Sequence, residues 1–147
     1  MNVGARSSNF AEATVQNSGG AAVSVSSSNP TARANGPTHA HLLGDVQGPG
    51  ETAGAGNVTV TAQGSNIAAA GARASGGGIV SVGSSNVTAE AVPTVAANAG
   101  GVIRAGSNVM IQSLSMTDAD ASSKSASGGA VAVTTLNADA TATPNVS

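Results

Sequence analysis

His39 and His41 lie two positions apart in the segment NGPTHAHLLGDVQGPGET, with Asp45 and Glu51 a few residues further on. On an extended chain, residues i and i+2 share a face, so the two imidazoles could offer paired nitrogen ligands to a cation. A closed metal site needs a third and fourth ligand converging on the same point. Asp45 and Glu51 are the nearby acids, and a solvated loop is the simpler expectation for this segment. Asp118 and Asp120 repeat the i, i+2 arrangement, and Asp139 follows one segment later. Paired carboxylates can perform general acid–base chemistry or hold Ca²⁺. Here the basic residues Arg6, Arg33, Arg73, Arg104 and Lys124 are scattered singly, so a solvated acidic face is expected.

Other reaction chemistries fail on spacing. The double glycines run into GGIVS and GAVAV rather than the GGxGxD of calcium-binding nonapeptides. Gly48–Gly54 is not followed by the Lys-Ser/Thr pair of a phosphate loop. Serines abound, but a Ser-His-Asp triad needs a placed base, and both histidines sit in one segment. Asn57, Asn86 and Asn145 each open an Asn-Val-Thr/Ser sequon. A turn Asn followed by a strand Val and Thr generates that pattern unaided. The expectation is no catalytic, cofactor or metal site.

Composition narrows the class of protein. In 147 residues there are 20 Gly, no Cys, no Trp, no Tyr and a single Phe, Phe10. Val, Ile, Leu and Phe together supply fewer than one residue in five, and Ala carries much of the 40% apolar content. Burial stabilises by roughly 25 cal/mol per Å², and Ala offers little area, so a conventional globular core is not expected. Disorder of the usual kind requires high net charge, whereas 5 basic residues face 7 acidic ones. The same balance, with no basic stripe and no aromatic platform, argues against nucleic acid. No apolar run reaches membrane-spanning length.

What must position these residues is a repeat. Val3, Ala5, Ser8-Asn9, Gly19-Gly20 and Asn29 recur 57 positions on as Val60, Ala62, Ser65-Asn66, Gly76-Gly77 and Asn86. Asn57-Val58, Val80, Val82, Asn86, Pro93 and Val95 recur 51 positions on as Asn108-Val109, Val131, Val133, Asn137, Pro144 and Val146. The chain holds about 2.5 degenerate copies of a 51–57-residue unit. Within a unit the period is two: Val58, Val60 and Ala62 alternate with polar residues, as do Val80 and Val82, and Val109 and Ile111. That alternation predicts short strands with one buried, valine-bearing face. Gly- and Asn-rich turns lie between them at Asn17–Gly20, Gly76–Gly78 and Ala105–Ser107. The Ala-rich stretch Asn66–Ala74 is interrupted by Gly and aligns with Asp120-Ala121, which favours strand over helix.

Small interior residues in repeating strands fit an all-β fold, a β-solenoid in which coils stack at about 4.8 Å and Val, Ile and Ala fill a thin shaft. Residues 1–147 read as one such shaft, each unit spanning two or three coils, with residues 35–54 inserted as a loop. Asn29, Asn86 and Asn137 are expected at corners, where Asn tolerates the left-handed conformation, with Asn57 and Asn108 as further turn or amide-ladder positions. Leu42 and Leu43 on the loop, and Val3 and Val146 near the ends, are the candidate subunit contacts.

The phrases AGNVTVTAQ (Ala55–Gln63), GGGIVSVGSSNVTAEAVPTV (Gly76–Val95) and AGSNVMIQS (Ala105–Ser113) resemble the repeat regions of giant bacterial surface proteins, the filamentous-haemagglutinin-like and leukotoxin-like adhesins. The resemblance departs at Asn35–Thr52. It implies a right-handed β-helix shaft exposed outside a bacterial cell, and it carries no catalytic residues. Two functions follow as expectations. The first is a structural protein that forms an extracellular filament by head-to-tail stacking with itself, or a shaft segment of a large adhesin. The second is a binding module, for ice through Thr59 and Thr61 or for a surface carbohydrate or host ligand. The threonine pair has no matching rung at Asn2 and Gly4 or at Met110 and Gln112, and carbohydrate-stacking aromatics are lacking.

Overall fold

The computed structural model describes residues 1–147, the side chain of Glu51 excepted. The chain passes three times through the same set of three parallel sheets. The first pass comprises β1 (Asn2–Gly20), β2 (Val23–Ser28), β3 (Thr31–Arg33) and β4 (Thr38–Leu42), then a 3₁₀ turn at Pro49–Glu51. The second comprises β5 (Val58–Gly77), β6 (Val80–Ala91) and β7 (Thr94–Ala99); the third, β8 (Val109–Gly128), β9 (Val131–Ala142) and β10 (Asn145–Val146). Sheet one has the order β1-β5-β8, and sheet three is β4-β7-β10. In sheet two, β6 is central, with β2 and β3 end to end along one side and β9 along the other. There is no α-helix among the described residues.

The register is the sequence repeat itself. Val3 pairs with Val60 and Val60 with Ile111, so the offsets of 57 and 51 seen in the sequence are inter-strand registers. One unit is therefore one pass, not two or three coils. The strands are also longer than expected: β1 has 19 residues, and β5 and β8 have 20 each. Parallel partners on both sides hold β5 extended through Gly64 and Gly71, which a lone strand would tolerate poorly. Asn66–Ala74 lies wholly within this strand.

Turns occur where side chains have no room. At the tip joining sheets one and two, a Cβ on Gly78 would run into the carbonyl oxygen of Ala21, and one on Gly129 into that of Gly78. The backbones of successive turns lie against each other there. Left-handed backbone occurs instead at Gly44 (φ 107°) and its match Gly101 (φ 94°), just after sheet three, and at Gly50. Two of the three asparagines expected at corners lie within strands instead. Asn86 and Asn137 lie inside β6 and β9, and Asn29 sits in the break before Pro30.

The expected loop 35–54 is largely part of the sheet system. Thr38–Leu42 forms β4 and pairs with Val95–Ala99, and the first offset persists to the Val46–Ile103 bridge. Only the stretch between the Gln47–Ala53 antiparallel bridge leaves the stack, closed by a 2.9 Å bond from the Gly48 amide to the Thr52 carbonyl. The six extra residues of the first spacing are spent there.

The core lies between the sheets and is thin. The second half of sheet one packs on sheet two through Ala68, Ala70 and Ala72 against Ala32, Ala34, Val87, Ala89 and Ala91. Its first half packs on sheet three through Val58, Val60 and Ala62 against Ala40, Leu42, Val95 and Ala97. The opening phrase of β6 behaves differently from the sequence expectation. Ser81 and Ser85 point inward and are buried, while Val82, Val25 and Val133 are exposed. Alternation identified the strand but not which set faces in: the alanines of Val87–Ala91 fix the parity, and they sit opposite to the valines.

Candidate functional site

His39 and His41 lie on the solvent face of β4, flanked by buried Thr38, Ala40 and Leu42. Their rings stack with centroids 5.6 Å apart and planes 17° from parallel. Asp45 does not join them as a ligand, because its Oδ1 accepts a 2.7 Å bond from the amide of Val102. The carboxylate of Glu51 lies outside the described residues. Among those residues no cluster of three or more His, Cys, Asp or Glu could hold a metal ion. Asp118 and Asp120 project from the outer face of β8, and Asp139 from β9 in a different sheet, so the three acids do not converge. Arg33 and Glu90 form an ion pair at 3.0 Å across the β3–β6 ladder, at the surface.

The threonine pair is flanked as the sequence alignment implied. Thr59 lies between Asn2 and Met110, and Thr61 between Gly4 and Gln112, so no column of Thr-x-Thr rungs forms on the face of sheet one. Of the candidate subunit contacts, Leu43 is 82% exposed but Leu42 is 5% exposed, sealed between sheets one and three. Strand alternation separates the two leucines. Val3 is half-buried against that same cluster and Val146 is exposed.

Asparagines do bond from pass to pass. Asn137 Nδ2 donates to Asn86 Oδ1 at 3.1 Å, and the Asn108 amide donates to Asn57 Oδ1 at 3.2 Å. Two further pass-to-pass staples were not anticipated in that role: Asn35 Oδ1 accepts from the Val92 amide at 2.8 Å, and Asp45 serves Val102 as above. The most buried of these contacts was also missed. Asn9 Nδ2 donates to Asn66 Oδ1 at 2.8 Å, and Asn66 is fully buried. The recurring Ser-Asn of Ser8-Asn9 and Ser65-Asn66, in phase with the inward Val3 and Val60, was the available signal.

The largest feature without a partner is the backbone at the two ends of the stack. β1 pairs only with β5, and β8 pairs only with β5 on its other side; β9 and β10 likewise have one partner each. The Thr59 amide donates to the Met1 carbonyl in the first pass, and the Val58 amide to the Asn108 carbonyl in the third. In a parallel ladder this alternation continues along the strand. The amides in phase with Val58, from Val109 and Ile111 through Ser113 to Ala121, therefore point off the third-pass end. Those of Asn2, Gly4, Arg6 and Ser8 point off the first-pass end. Side chains follow suit: Val109, Ile111, Leu136 and Val146 match inward positions that are buried in the second pass, yet they are about half exposed. Both ends are open sheet edges of matching direction and side-chain parity; β1 and β8 also match in length, whereas sheet three offers the five residues of β4 at one end and the two of β10 at the other.

Compared with protein-family models, with curated proteins and with solved structures, the chain matches none of them.

Proposed function

We propose that this chain is a β-solenoid shaft, one large right-handed coil per repeat, whose copies stack head to tail into a structural filament outside a bacterial cell. The observation that carries the reading is the pair of open edges. The third-pass end offers the donors and acceptors of β8 and β9, and the first-pass end offers the complementary set on β1, β2 and β3. Translation of a second copy along the stacking direction would continue sheets one and two in the register already used twice within the chain, and would continue sheet three where Val146 meets Thr38. Such a contact is heterologous and does not close, so it propagates. The half-exposed Val109, Ile111 and Leu136 would then be covered as their second-pass counterparts are. The extracellular, bacterial setting rests on the resemblance of the repeat phrases to surface adhesins alone.

Electron microscopy with sedimentation over a concentration series tests this. The expected result is unbranched filaments with an axial repeat of about 14 Å, three strand spacings of about 4.8 Å. A chain that remains monomeric at high concentration sinks the polymer. The reading then passes to a shaft segment of a larger adhesin, in which neighbouring repeats of the same chain cover the edges.

A further inference from the structure

Between the two alanine- and valine-lined clusters, β5 carries Gly64 and Asn66, and a polar seam crosses the core there. In the first pass it holds Ser7, whose hydroxyl bonds that of Thr38, and Asn9, which donates to Asn66. In the third pass it holds Ser115 and Thr117, whose hydroxyls bond each other at 2.9 Å. The rows are Ser7–Gly64–Ser115 and Asn9–Asn66–Thr117. Space for the amides is tightly allotted: a Cβ on Gly36 would run into the Asn9 amide, and one on Gly64 would come within 2.7 Å of Val95 Cγ2. Asn66 Nδ2 is buried without a hydrogen-bond partner, and Thr117 is the residue opposite it in the next pass.

Resting on the head-to-tail reading, we propose that this seam is the register key of the joint between copies. A strand edge flanked by uniform small residues slips readily by two positions, because such a slip keeps the inner and outer faces. Here only one register sets Thr117 of one copy against Asn9 of the next, and Ser115 against Ser7. The Thr117 hydroxyl then lies between the free amide of Asn66 and the carbonyl of the incoming Asn9, and the row of polar groups runs unbroken through the joint. Slipping one way buries the incoming Asn9 against Ala119. Slipping the other way sets Thr117 against Ala11. Either leaves a polar group in the alanine region without its partner, which is costly in a buried ladder.

The chain has no cysteine, so engineered disulfides report the register directly. Across the native joint, Gly4 of one copy would lie beside Gln112 of another at about 4.8 Å, within disulfide reach. The same two residues within one chain are two strands apart, and too far. Gly4→Cys with Gln112→Cys should therefore give covalent oligomers on oxidation. Arg6→Cys with Gln112→Cys, bridged only after a two-residue slip, should give about tenfold less. Thr117→Val keeps the side-chain shape and removes the hydroxyl, and it favours the slip that sets Asn9 against Ser115. In that background the cross-link should move to the Arg6→Cys/Gln112→Cys pair. Equal cross-linking of both pairs in the native background, or an unmoved cross-link in Thr117→Val, overturns the register key while leaving head-to-tail assembly standing. No cross-link in either pair, with the chain monomeric, overturns both.

Discussion

Substitution of Ser113 by proline separates the fold of the single chain from its assembly. Ser113 pairs with Ala62, which shares the phase of Val58, so its amide points off the third-pass end and away from β5. Proline there removes a donor that no group within the chain uses, the one situation in which a strand edge accepts it. In a stacked copy that amide would meet the carbonyl of Gly4 in the next subunit. Loss of the bond leaves that carbonyl unsatisfied inside a ladder, at about 1–3 kcal/mol per joint, or roughly 5- to 150-fold in the association constant. Gln112→Pro is the matched control. Its amide lies in phase with that of Thr59 and faces β5, so the same substitution one residue away breaks a bond within the chain. It leaves a carbonyl of β5 unsatisfied and should cost about 1–3 kcal/mol of folding stability. Urea denaturation of the dilute monomer and sedimentation at rising concentration read the two quantities separately. Ser113→Pro should leave the first within about 1 kcal/mol and weaken the second. Unchanged self-association in Ser113→Pro, or a monomer as destabilised as Gln112→Pro, refutes the assignment of the open edge.

Three further outcomes are expected. Leu42→Ala should lower folding stability by about 2–5 kcal/mol, because the side chain fills the space between sheets one and three, while Leu43→Ala should change it by less than about 0.5 kcal/mol; paired denaturation curves check this. Gly78→Ala should destabilise sharply, since its Cβ would meet the Ala21 carbonyl, whereas Gly56→Ala, with open space around it, should be close to neutral in the same assay. Asn66→Ala strands the Asn9 amide and should cost about 1–3 kcal/mol, and the Asn9→Ala/Asn66→Ala pair should cost less than the sum of its single changes, as a double-mutant cycle will show.

Much of this protein was legible before folding because the repeat is also the register. Strands that stack in parallel carry the same residues at the same depth, so a match of Val3 to Val60 in the sequence is a contact in the structure. Composition and periodicity were enough to read an all-β chain, spacings of 57 and 51, and glycine pairs at its tips. Packing between the sheets resolved what periodicity leaves open. Alternation cannot say which of two sets faces inward when both are small: the valines of Val80–Val82 face out because the alanines of Val87–Ala91 pack on sheet one. A run of polar residues can be a loop or a strand edge. Thr38–Leu42 became strand because β7 was there to pair with it, and that pairing buried Leu42 while leaving Leu43 in water. The candidate site followed the same division. Stacked asparagines could be anticipated from their spacing, but the open edges, and the polar seam that crosses them, exist only once three passes are laid side by side, because an unpaired backbone is a property of neighbours and not of residues.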